Sequence, residues 1–143
     1  VGRVRVRAGK LRGAHVGGTT ALRAIDEVPA LAVAAALAEG TTTFSDLKEL
    51  RVKESDRIAA LARELGRAGV KVEERPDGLV IEGLAGRDPK GGTVEPEHDH
   101  RIAMAGAVLG LASADETLVP ASEIATSFPS FADTLRALGA SLV

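Results

Sequence analysis

Apolar and polar residues trade places along this chain at two different periods, and the switches between them mark out its elements. The run Arg3-Val4-Arg5-Val6-Arg7 alternates with period two, as a strand with one buried face does, and 11–16 is strand-like again. A polar stretch then leads through Asp26-Glu27-Val28-Pro29 into Ala30 to Ala38 and stops at Glu39-Gly40. Proline in the first turn and glycine past the end bound a helix, and apolar residues on nearly every face predict that it is buried. Residues 41–47 predict a strand. From Ser55 the period becomes helical, with Ile58, Leu61 and Leu65 on one face and Arg63, Glu64 and Arg67 elsewhere, capped by Ser55 or Asp56 and closed by Gly69. Residues 70–74 and 79–82 predict a hairpin around Pro76-Asp77-Gly78.

The same grammar then returns. A glycine-rich connection over 86–92 leads to a short strand at 93–94, a wholly apolar helix at 101–112 and a strand at 117–119. An amphipathic helix from 127 to 138, Gly139 and a last strand at 140–143 complete the copy. The fold class is therefore α/β, built from repeated units with one helix inside and one half exposed. The four glycines between 83 and 92 lack the order of a phosphate-binding loop and read as a connection.

Composition narrows the functions. With 143 residues, 45% of them hydrophobic, the chain can bury a core as one domain or as a pair of small units. A net charge of −2 and 2% aromatics argue against nucleic-acid binding and leave a small anionic ligand compatible. There is no cysteine, and the three histidines are scattered, so no metal site is expected. The longest apolar stretch, Ala30 to Ala38, is too short for a bilayer, so no membrane association is expected either. A strand-like opening without an initiator methionine suggests a piece of something longer.

Two constellations carry chemistry. Lys53, Glu54 and Arg57 surround a helix start, and Asp99-His100-Arg101 precedes another. Both arginines stand at the wrong end of the macrodipole for a cation, which suggests that together they hold an anion that two helix N-termini already attract. The plainer alternative is local ion pairing around each cap. Asp26 reads either as a cap or as a general base. The readings pull apart, because a helix start stabilises the carboxylate while a base near neutrality gains from burial or from a neighbouring acid such as Glu27 or Glu54. Asp99 reads as a cap with an Asp–Arg pair, beside a histidine that offers a donor or a proton carrier.

Four segments, IDEVPALAVAAA, LRVKESDRIAAL, DHRIAMA and IATSFPSF, occur in the order found in the C-terminal part of the 5-enolpyruvylshikimate-3-phosphate synthases, and essentially the whole chain resembles that family. The resemblance implies βαβαββ units, with 1–143 as part of one enolpyruvyl transferase domain: 1–20 the end of a preceding unit, 21–84 a complete unit and 85–143 a further one. It implies transfer of the enolpyruvyl group of phosphoenolpyruvate to the 5-hydroxyl of shikimate 3-phosphate, releasing phosphate, with no metal or organic cofactor. The implied enzyme is cytoplasmic and monomeric, and its active site closes against a missing N-terminal domain.

Position by position, the resemblance makes Asp26 the acceptor of the 5-hydroxyl proton and Lys53 a shikimate 3-phosphate contact. Glu54 becomes the proton-transfer group at the enolpyruvyl methylene, while Arg57 and Arg101 grip phosphoenolpyruvate. Guanidinium forks suit carboxylate and phosphate. Two positions depart from the family pattern. Ala125-Thr126-Ser127-Phe128-Pro129 lacks a lysine many members carry there, as in a subgroup that includes glyphosate-tolerant members, and Glu49 replaces an asparagine. The competing readings are the sister transferase acting on UDP-N-acetylglucosamine and a non-catalytic anion-binding module.

Overall fold

The computed structural model describes residues 2–143. Strand β1 (His15–Val16) runs parallel to β2 (Thr41–Phe44), and between them lie α1 (Gly18–Arg23), a 3-10 turn at Ile25–Glu27 and α2 (Val28–Ala36). A second 3-10 turn, Lys48–Val52, leads to α3 (Arg57–Arg67) and then to the hairpin of β3 (Lys71–Arg75) and β4 (Gly78–Glu82). β4 inserts between β2 and β3, giving the sheet order β1-β2-β4-β3 with antiparallel β2–β4 and β4–β3 pairs. The second half repeats the opening of this plan: β5 (Gly92–Thr93) is parallel to β6 (Thr117–Leu118), with α4 (His100–Gly110) between them, and α5 (Ala121–Ala125) and α6 (Phe131–Ala137) follow.

α2 begins with Pro29 in its first turn, where a missing N–H costs nothing, and it buries Val28, Ala32, Val33, Ala35 and Ala36. It packs against α4, α3 and β4. The amphipathic α3 turns Ile58, Leu61 and Leu65 inward. Asp56 caps it, its Oδ1 accepting from the Ala59 N–H at 3.1 Å. Gly69 ends it with φ +83°, which lets the Val70 N–H reach the Leu65 carbonyl. Phe44, Leu47, Leu50, Leu79, Ile81 and Ile102 complete the core, and nine of the buried side chains are alanines. α4 turns two glycines toward the small sheet. A Cβ on Gly106 would stand 2.7 Å from the Val94 methyls, and one on Gly110 2.7 Å from Thr117 Cβ, so neither position has room for a side chain.

The structure departs from the sequence reading where an element needs a partner or a break. Residues 3–8 form no strand, and Val4 and Val6 are 88% and 87% exposed, because among the described residues no strand lies beside them to hydrogen-bond. The pairing of 11–16 is limited to an Arg12–Glu39 bridge and then β1, and 140–143 are likewise unpaired. The expected strand 41–47 stops at Phe44, and Asp46 follows in the left-handed region at φ 62°. The expected helix 127–138 begins only at Phe131, as α6, since Pro129 lacks an N–H and disfavours helical backbone at Phe128; the short α5 lies before the expected range. The polar stretch before Asp26 contains α1, a helix too short for periodicity to show.

Candidate functional site

Three helices, α2, α3 and α4, begin at one place. Asp26 comes from the turn that feeds α2, Glu54 and Arg57 from the entry to α3, and Asp99 and Arg101 from the entry to α4. Each start carries unpaired N–H groups and the positive end of a peptide dipole, so the spot favours negative charge before any side chain is counted.

Arg57 stands at the centre with its side chain only 1% exposed. Its Nε donates to Asp99 Oδ2 at 2.7 Å, its Nη2 to Glu54 Oε2 at 2.5 Å and its Nη1 to Asp26 Oδ1 at 3.3 Å. Asp99 is fully buried, accepts from the Arg101 N–H at 2.9 Å as the cap of α4, and takes a further bond from the Ser55 hydroxyl at 3.1 Å. Burial pushes the Asp99 carboxyl up, but the hydrogen bond and charge of Arg57, with the Arg101 amide and Ser55, outweigh it and hold the group below the usual carboxylate range. Arg101 donates through Nη1 to the Asp26 carbonyl at 2.7 Å, and its Nη2 stands 3.7 Å from Asp26 Oδ2. Lys53 Nζ bonds Glu49 Oε1 at 2.6 Å, and this contact keeps its ammonium raised above the ordinary lysine value; Asp26 adds to the effect and Arg57 opposes it.

The expected residues are therefore together: Asp26, Glu54, Arg57 and Arg101 in direct contact, with Lys53 close enough to feel two of them. Two expectations change. Asp26 makes no capping bond to α2, so the cap reading of that residue falls. Arginines at helix starts, read as holders of an external anion, suggest cations short of local counter-charge, yet Arg57 is fully engaged by three carboxylates, because helix starts that attract an anion attract acidic side chains first. Arg57 reaches an external anion only when Glu54 or Asp26 yields, whereas Arg101, 32% exposed, is more open. Thr126 turns its hydroxyl back to the Glu123 carbonyl at 2.8 Å, and Glu49 is occupied with Lys53. Among the described residues no group of three or more acidic or histidine side chains is arranged to hold a metal ion.

Two partnerships lie beyond what sequence reasoning reaches. Asp99 is the buried counter-ion of Arg57 across 42 positions, a link no local spacing reveals. Arg51 has no spacing that marks it either. It bonds the Arg75 and Pro76 carbonyls at 2.6 and 2.8 Å and the Asp56 carboxylate at 2.8 Å, tying the hairpin turn to the cap of α3.

The family model described as "EPSP synthase (3-phosphoshikimate 1-carboxyvinyltransferase)" matches residues 3–135. The chain belongs to the EPSP synthase family. It is 52% identical over 141 residues to the 3-phosphoshikimate 1-carboxyvinyltransferase of Parvibaculum lavamentivorans, covering 98% of this chain and 31% of that protein. It is 56% identical over 134 residues to the enzyme of the same name from Pelotomaculum thermopropionicum, covering 92% of this chain and again 31% of the relative. The solved EPSP synthase of Acinetobacter baumannii superposes with a TM-score of 0.87 at 40% identity, over 92% of this chain and 31% of that one. The chain thus spans about a third of the length of the relatives it matches, and its α/β architecture is that of the EPSP synthase fold.

Proposed function

We propose that the protein of which these residues form part transfers the enolpyruvyl group of phosphoenolpyruvate to the 5-hydroxyl of shikimate 3-phosphate and releases phosphate, as a cytoplasmic enzyme of aromatic amino-acid biosynthesis. The carrying observation is the meeting of Asp26, Glu54, Arg57 and Arg101 at three helix starts, in a chain of this family. Addition forms a bond between the 5-oxygen and C2 of the donor, with the hydroxyl proton leaving to a base and a proton arriving at C3. Elimination breaks the C2–O bond to phosphate and removes a proton from the C3 methyl. Such a sequence needs carboxylates on two sides of the reacting carbons, and Asp26 and Glu54 flank the Arg57 guanidinium in that way. Arg101 receives the donor's negative charge, and Arg57 joins it as Glu54 swings from guanidinium to substrate. Lys53 faces the acceptor beside its 5-hydroxyl.

We divide the chain as the end of a preceding unit over 1–20, a complete unit over 21–84 and a further unit from 85, with β1 of the first stretch pairing with β2 of the second. Residues outside this chain supply the remainder of the site.

Phosphate release by the full-length protein tests the reading. It is expected with shikimate 3-phosphate as acceptor and absent with UDP-N-acetylglucosamine, the substrate of the sister transferase; the reverse result would assign the protein to that enzyme. Asp26→Asn and Glu54→Gln keep size and are expected to lower turnover by about 10²-fold. Normal turnover in either variant removes that residue from proton transfer, and no release from either acceptor favours a non-catalytic anion-binding module.

A further inference from the structure

The connection from β5 to α4 takes a costly path. Glu97 and His98, neither of them glycine, lie side by side in the left-handed region at φ 53° and 64°. That backbone is disfavoured for residues with a Cβ and persists only where the surroundings over-determine it. Here the surroundings are one face of α3, with Glu123 of α5 adding a contact of 3.1 Å from its Oε1 to His98 Nδ1. Arg63 donates from Nη1 to Glu97 Oε1 at 2.6 Å and from Nη2 to the Glu95 carbonyl at 2.9 Å, while its Nε is held by Glu64 Oε1 at 2.9 Å. Arg67 adds a bond to Glu95 Oε2 at 2.7 Å, and Glu64 Oε2 accepts the Glu95 N–H at 3.2 Å. The path ends with the Asp99 N–H on the Pro96 carbonyl at 3.0 Å, which delivers Asp99 to Arg57 and starts the helix that carries Arg101.

We propose that Arg63 is a positioning residue for the donor's anion site: its guanidinium fork holds the 95–98 path, with its two left-handed residues Glu97 and His98, so that Asp99 orients both Arg57 and Arg101. Arg63 bonds neither arginine and acts through the loop. The proposal rests on reading Arg57 and Arg101 as the donor site, and it adds a residue from outside that site, further along α3. A planar fork is required because one side chain must serve a carboxylate and a backbone carbonyl together; a lysine ammonium at the same place cannot span both with fixed geometry.

The test is steady-state kinetics of the full-length protein with phosphoenolpyruvate and shikimate 3-phosphate varied separately. Arg63→Gln is expected to raise the donor KM about tenfold, the scale on which a supporting partner acts on the site it orients, with the acceptor KM within about twofold of the parent value. Arg63→Lys is expected to recover little of this. Adding His98→Gly to Arg63→Gln supplies the left-handed backbone without steric cost, and the donor KM is expected to fall back toward the parent value. An unchanged donor KM in Arg63→Gln overturns the proposal, as does a joint rise of both KM values that glycine at 98 does not correct. Arg101→Gln, a more exposed change, runs alongside. A raised donor KM there with a normal one in Arg63→Gln removes only the positioning proposal, whereas a normal donor KM in Arg101→Gln removes the donor-site reading and the positioning proposal with it.

Discussion

A buried arginine is costly unless its partners are complete, and Arg57 shows how completeness distributes its consequences. Asp99 is as buried as Arg57, so removing either strands the other; Asp99→Asn or Arg57→Gln is expected to cost about 3–5 kcal/mol, measured as a shift of the urea midpoint at constant m. Glu54 is half exposed, and Glu54→Gln is expected to cost under about 1 kcal/mol in the same experiment. The Asp99 carboxyl is held below its ordinary value in the fold, so its contribution is complete above an unfolded value of roughly 3.9 and is lost as pH falls through the lower folded value. Unfolding free energy below about pH 4 should therefore drop more steeply with acid for the parent than for Asp99→Asn. Equal slopes would mean that Asp99 is not the ionised partner of Arg57. The candidate residues are legible in the sequence because arginines at predicted helix starts are conspicuous against the macrodipole rule and the acids beside them fit it. Their neutralisation is not, since periodicity says where a side chain begins and nothing about which distant carboxylate it will meet.

Helix and strand limits follow local chemistry where that chemistry is strong. The Asp56 cap, the Gly69 stop and the hairpin at Pro76-Asp77-Gly78 stand where the sequence puts them. Asp56 also anchors Arg51, so Asp56→Ala should lose more than a simple cap: about 1 kcal/mol for the cap, with a further loss that disappears in an Arg51→Ala background. A double-mutant cycle in urea checks this, and strict additivity would sever the hairpin turn from the helix start. The departures have a common cause. Residues 3–8 and 140–143 have strand chemistry without a neighbour, and a strand is a property of two segments, not of one. Across 127–138 the apolar spacing points to a helix from Ser127, but Pro129 delays its start to Phe131.

Taken whole, the molecule has a four-stranded sheet and a two-stranded one, with an N-terminal arm whose Arg3, Arg5 and Arg7 are all exposed. Trypsin is expected to remove that arm first and to spare Arg57, because cleavage needs extended, accessible backbone; early cutting at Arg57 would mean that the three helix starts do not stay together in solution. The chain by itself is expected to release no phosphate from the substrate pair, and to do so when mixed with the remainder of the parent protein; turnover by the chain alone would show the site to be complete within it. The alanines of α2 and its surroundings bear on how the fold tolerates change. Ala32, Ala35 and Ala36 have almost nothing to lose by truncation, while an added methylene at any of these buried positions has to displace packed neighbours. Tolerance at these positions is thus lopsided: they withstand shrinkage and fail by crowding, and sequence drift there is confined to residues no bulkier than alanine.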